Sequence, residues 1–192
     1  MNPPLFALIS LAAGVCWLII IIVWIVSAFG AKRTIKRNYS WWISRLFLLA
    51  LITYAIEDEK ASGGAGAFWR PSFNPALDIL GLAFVVIGIA IAIWARLHLA
   101  SNWGMPMSLK ENPELITTGP YTYIRNPIYS GIILAMVGSG WALGEWWFVV
   151  ALISLVYFVY ASIREEKIMM AAFPDTYPAY KARTKMLIPW VL

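Results

Sequence analysis

Between positions 119 and 131 the chain reads Gly119-Pro120-Tyr121-Thr122-Tyr123-Ile124-Arg125-Asn126-Pro127-Ile128-Tyr129-Ser130-Gly131. Two prolines, two glycines, three tyrosines and an arginine fall within thirteen residues, and apolar sequence begins directly behind them. Each proline removes a backbone donor, fixes φ and drives the residue before it toward extended conformations. A preordered bend of this kind suits a loop whose exposed backbone groups meet a ligand. The same residues suit a polar turn with interfacial tyrosines leading into a helix, and spacing alone does not separate the two.

The elements that must position this stretch are membrane-like. Hydrophobic residues make up 61% of the 192-residue chain and charged residues 13%, against about a quarter charged in soluble domains. That balance excludes an ordinary soluble domain. Eleven tryptophans and nine tyrosines fit aromatic belts at membrane interfaces. The single cysteine, Cys16, sits inside an apolar run and reads as a packed small residue. The net charge of +5 is not clustered as a nucleic-acid face would be. No convincing cluster of metal ligands is present in the sequence.

Residues 5–29 form an uncharged apolar run long enough to cross a ~30 Å hydrocarbon core. The run is too long for a signal-peptide core and has no basic n-region, so a retained helix is expected. A shorter candidate crossing follows over 41–56, with Arg45 near its start, and then an acidic, glycine-rich loop over 57–74. A third crossing is expected over 75–95, with Asp78 capping or favouring its N-terminus. Residues 128–163 are thirty-six mostly apolar residues broken by Gly144-Glu145. They divide into two short crossings, 128–143 and 146–163. The expected fold is therefore an all-α integral membrane protein with about five transmembrane helices in one membrane domain, 1–192. Segments 96–127 and 164–192 would be cytosolic. Four basic residues follow the first crossing, three follow the third and five lie in the tail, against two after the second. The positive-inside rule then puts the N-terminus outside and both motif segments in the cytosol.

The stretch resembles the Gly-Pro-Tyr-x-Tyr-x-Arg-His-Pro-x-Tyr-x-Gly signature of the isoprenylcysteine carboxyl methyltransferase and phospholipid methyltransferase group of integral membrane enzymes. A second resemblance runs from Glu165-Glu166 through Phe173, Tyr177 and Tyr180 to Arg183-Thr184 and Pro189. Asn126 stands where the group has histidine, and Pro174 where it has glycine. The resemblance implies S-adenosylmethionine as methyl donor and a lipophilic or lipidated acceptor at the bilayer. An isoprenylcysteine-like carboxylate is the leading acceptor. A phospholipid headgroup amine is the alternative, as is a noncatalytic lipid-binding relative.

The same resemblance implies a cofactor pocket lined by Gly119, Pro120, Tyr121, Arg125, Asn126, Pro127 and Tyr129. Glu165 and Glu166 would bind the cofactor's ammonium or ribose hydroxyls. Arg164 is the candidate for holding a carboxylate acceptor bidentately, with Glu165 beside it as the second catalytic candidate. An interfacial arginine that snorkels has the same position in sequence. Trp103 and Arg183 are candidates for acceptor binding. An amide at Asn126 keeps hydrogen-bonding capacity but cannot titrate as histidine does. The only histidine, His98, would substitute for it if it folds toward the pocket.

Overall fold

The computed structural model describes residues 3–36, 74–104 and 108–189. The expected crossing over 41–56 and the loop up to residue 73 lie outside the described residues. Helix α1 spans Pro3–Ala28. Helix α2 spans Pro75–Leu99, and a single 3-10 turn carries it on to Asn102. Helices α3 and α4 span Pro127–Ala142 and Trp146–Ala172. A short helix α5, Tyr177–Arg183, closes the tail. Strand β1 (Thr34–Lys36) pairs antiparallel with β2 (Leu109–Lys110), which ties the chain leaving α1 to the loop behind α2. Among the described residues, three stretches are long and apolar enough to cross a bilayer: Leu5–Ala28, Pro75–Asn102 and Trp146–Ala172. Helix α3 is shorter and apolar. The protein is an all-α integral membrane protein.

Helices α2 and α3 form the closest pair, and small residues make the approach possible. A Cβ on Gly88 would stand 2.5 Å from the Gly131 carbonyl oxygen, and one on Gly81 would stand 2.6 Å from that of Gly138. The glycines recur every seven residues on both helices, so the contact repeats at each second turn. Between apolar helices in lipid, such close backbone packing supplies attraction that the hydrophobic effect does not. Helix α1 lies across this pair through Ile9, Ala13 and Ile20, which share a core with Val85, Ile89, Ala92 and Ala135. Trp17 donates to Ser139 Oγ at 3.1 Å and stacks on Trp147.

Two helix ends differ from expectation. Asn74 caps α2, its side chain accepting from Ala76 and Leu77 N–H. Asp78 sits buried in the first turn. An N-cap oxygen must stand just outside the helix to meet its second and third amides, and only Asn74 does so. Helix α4 continues nine residues past Ile163, to Ala172. Glu, Lys, Met and Ala in that extension favour helix, and Pro174 drives Phe173 out of helical geometry.

We predict that Gly88→Val forces α2 and α3 apart, because the atoms it meets are backbone. Overpacking of this kind costs roughly 1–3 kcal/mol. Thermal unfolding in detergent should show the loss, and an unchanged midpoint would contradict the glycine contact.

Candidate functional site

The signature loop is held in shape by three local features. Gly119 has φ +59, and a Cβ there would stand 2.8 Å from the His98 ring. Only glycine combines that backbone with that neighbour. His98 bonds Thr118 Oγ1 through Nε2 at 2.8 Å and stacks on Tyr121. It therefore braces the loop from behind and does not line the cavity described below. Pro120 is buried within a 3-10 turn, Gly119–Thr122, and Pro127 occupies the first turn of α3, where a missing N–H costs nothing.

The C-terminal tail lies alongside the loop. Arg125 and Asn126 donate backbone N–H to the carbonyls of Lys185 and Met186 at 2.8 and 3.1 Å. The Asn126 side chain also donates to Met186 O, and Ser130 Oγ donates to Leu187 O. An amide at position 126 thus pins the tail to the start of α3.

Arg125 joins four segments. Its Nε and one terminal nitrogen reach Glu166 Oε1 at 2.9 and 2.7 Å. The other terminal nitrogen donates to the carbonyls of Lys181 and Thr184. Lys181 Nζ reaches Glu166 Oε2 at 2.5 Å from the water side. The side chains of Arg125 and Glu166 are each 9% exposed, so the pair is little screened. One turn away, the Tyr129 hydroxyl donates to Glu165 at 2.7 Å, and its ring stacks on Phe158 with centroids 4.4 Å apart. Tyr180 donates to the Tyr121 carbonyl at 2.8 Å.

These contacts wall a cavity of about 410 Å³. Tyr121, Arg125, Asn126 and Tyr129 face it from the loop and α3, and Glu165 and Glu166 from α4. Trp103 also lines it, held flat by the guanidinium of Arg96, which lies 4.3 Å above its ring. Arg96 is fully buried and donates to Ser27 O and Ala100 O, tying the ends of α1 and α2 together. Gly119, Pro120 and Pro127 shape the backbone but lie outside the lining.

Two sequence candidates stand elsewhere. Arg164 is exposed and absent from the cavity wall. At about 100° per residue, Phe158, Ser162, Glu165, Glu166 and Met169 share the inward stripe of α4, and Arg164 falls off it. Arg183 is exposed, stacks over Tyr180 at 5.7 Å and faces a separate hollow beside Thr176 and Leu115. Phe158 and Ser162 lie within the expected crossing 146–163, where an apolar run does not show which face turns inward, and Met169 lies beyond its expected end. Helical spacing from Glu166, back to Ser162 and Phe158 and forward to Met169, is the signal that marks them. Trp24 and Glu114 also line the cavity, but nothing local in the sequence marks them. Glu114 is carried there by Lys32 at 2.8 Å and by Asn102, which lower its carboxyl below the usual range.

Burial raises the phenols of Tyr121 and Tyr177, and Glu166 adds to the effect at Tyr177. Tyr180 is pushed up to about 12, again mainly by burial. Its neutral form is the one the fold favours. The stability this contributes is complete below the ordinary phenol value of about 10 and is lost as pH climbs toward 12.

A sequence profile of the phospholipid methyltransferase family matches residues 77–176. The chain belongs to that family. It is 28% identical over 119 residues to the cobalt-zinc-cadmium resistance protein CzcN of Cupriavidus metallidurans, covering 60% of this chain and 50% of that one. It is 29% identical over 116 residues to the protein-S-isoprenylcysteine O-methyltransferase of Schizosaccharomyces pombe, covering 57% of this chain and 48% of that protein. Methanethiol S-methyltransferase 1 of Bradyrhizobium diazoefficiens is 33% identical over 81 residues, covering 41% and 27%. The matches span half or less of the length of these relatives.

Two outcomes are expected. Arg125→Ala leaves Glu166 with one exposed partner in place of two and should destabilise the chain by roughly 3 kcal/mol. A double-mutant cycle with Glu166→Gln should recover part of that loss, and strict additivity would show that the pair does not interact. In alkaline titrations, unfolding should set in between pH 10 and 12, and Tyr180→Phe should flatten that slope.

Proposed function

We propose that this protein transfers a methyl group from S-adenosylmethionine to a lipophilic acceptor at the inner face of a membrane. The observation that carries the reading is the meeting of two separated motif segments in one cavity, through the Tyr129–Glu165 hydrogen bond and the Arg125–Glu166 pair. The cavity fits such a cofactor. Its volume lies within the usual range for small-molecule sites, about 300–1,000 Å³. Carboxylates of Glu165 and Glu114 suit a ligand with a sulfonium and an ammonium, and the faces of Trp24, Trp103 and Tyr177 suit a cation or a stacked base. When bound, the cofactor supplies an activated methyl and needs no metal.

In this reading, Glu165, Glu166 and Asn126 hold the cofactor from α4 and the loop, and Tyr121 and Tyr129 close its flanks. Burial keeps Tyr121 a neutral donor. The protein's contribution is to orient two reactants within about 3–3.5 Å and to exclude water. The fission-yeast relative favours an isoprenylcysteine-like carboxylate as acceptor. The family description favours a phospholipid headgroup amine. There Glu165 would accept the released proton. The charge distribution along the sequence supports an N-terminus outside and a cavity open to the cytosol. The whole of residues 1–192 would then act as one membrane domain.

Calorimetry with S-adenosylhomocysteine tests the proposal. The wild-type chain should bind, and Glu165→Gln should weaken binding about tenfold or more, as expected for a charge-assisted hydrogen bond. No heat in either protein would favour a noncatalytic lipid-binding role.

A further inference from the structure

Ser162 holds a hydroxyl that the fold leaves without a partner. The residue is fully buried, its Oγ makes no hydrogen bond, and it lines the cavity. A buried helical serine has an easy default, which is to donate to the carbonyl four residues back. Among the described residues three other hydroxyls take it, while Ser10 of α1, away from the cavity, is also unpartnered. Ser139 donates to Ala135 O at 2.9 Å, Ser130 to Asn126 O at 3.1 Å and Thr184 to Tyr180 O at 2.7 Å. Ser162 does not, although Phe158 stands one turn behind it. A buried hydroxyl with no partner is costly in a folded protein. Its retention on a cavity wall points to a ligand atom that completes the bond.

The position along α4 says which ligand. Glu165 and Glu166 lie on the next turn toward water, and Phe158, with Tyr129 stacked on it, lies on the turn toward the bilayer. Ile128 and Ile132 of α3 also line the cavity. Ser162 therefore stands at the junction between the carboxylate end and the apolar end of the cavity. Resting on the methyltransferase reading, we propose that Ser162 binds the polar head of the lipophilic acceptor, beside its reacting heteroatom, and takes no part in holding the cofactor. The hydroxyl both donates and accepts, so it serves a carboxylate, an amine or a thiol. No proton or bond changes hands at Ser162; it fixes the head group where transfer occurs.

The test compares Ser162→Ala with the wild-type chain, full length, in detergent supplemented with lipid. Three probes share a long apolar chain and differ in head group: a prenylcysteine analogue, phosphatidylethanolamine and dodecanethiol. Affinity for the productive probe, followed without donor by quenching of Trp24 and Trp103, should fall about tenfold, and kcat/KM with labelled donor should fall in step. Affinity for S-adenosylhomocysteine should stay within about twofold. The unfolding midpoint of the ligand-free variant should hold or rise, because alanine removes an unpaired buried hydroxyl, whereas a purely structural serine would lower it. Ser162→Cys should recover part of the acceptor affinity. Unchanged probe affinity and turnover, or a weakened cofactor, would overturn the assignment, as would a wild-type chain that binds cofactor and none of the probes. Loss of cofactor binding in the wild type would instead sink the methyltransferase reading, while the donor-free probe affinities would still decide whether Ser162 touches an acceptor head group.

Discussion

The guanidinium of Arg125 is the point at which the cavity end of this protein is assembled. It reaches a carboxylate on α4 and two carbonyls of the tail while its own backbone amide bonds a third. None of these segments would keep its place alone. The tail is short and irregular after Arg183, the loop has few internal backbone bonds, and the end of α4 projects beyond its apolar stretch. A planar donor fork suits this task better than an ammonium would, because it meets several oxygens at fixed angles. Since the pair is nearly buried, its attraction is felt at low dielectric, and losing either partner is costly for the same reason.

The membrane part solves a different problem. Apolar helices gain little from meeting one another in lipid, so α2 and α3 depend on backbone contact at paired glycines. That close packing fixes the height of the signature loop, because α3 begins at Pro127, directly after it. The loop and Glu165 meet only if α3 and α4 are held in register, and the stacked Tyr129 and Phe158 rings mark that register. Helix packing in the bilayer and cavity geometry at its surface are thus one structure. Within it, the buried hydroxyl of Ser162 stays unbonded on the cavity wall, where those of Ser130, Ser139 and Thr184 are satisfied.

Much of this was legible beforehand. Long apolar runs gave α1 and α2, and Gly144-Glu145 gave the break between α3 and α4, because composition and helix breakers act locally. The signature loop and the Glu165-Glu166 pair were recognisable as two parts of one pattern, and the fold brings them together. The extension of α4 to Ala172 was less legible. Polarity ends a membrane span, but it does not end a helix, and counting hydropathy confuses the two. Asp78 does lie in the first turn of α2, but the cap is Asn74: charge near an N-terminus is visible in sequence, while cap geometry is not.

By itself, then, the sequence determined that the chain lives in a bilayer and where the described long helices lie, since both follow from neighbours within a few turns. Only the tertiary structure decided which side chains face the cavity. It turned Arg164 and Arg183 away, brought in Trp24 and Glu114 from distant segments and set His98 behind Gly119 as a brace. The physical reason is that facing depends on the rotation of each helix about its own axis. That rotation is fixed by close packing and by ion pairs between residues far apart in the chain, and no local pattern encodes them.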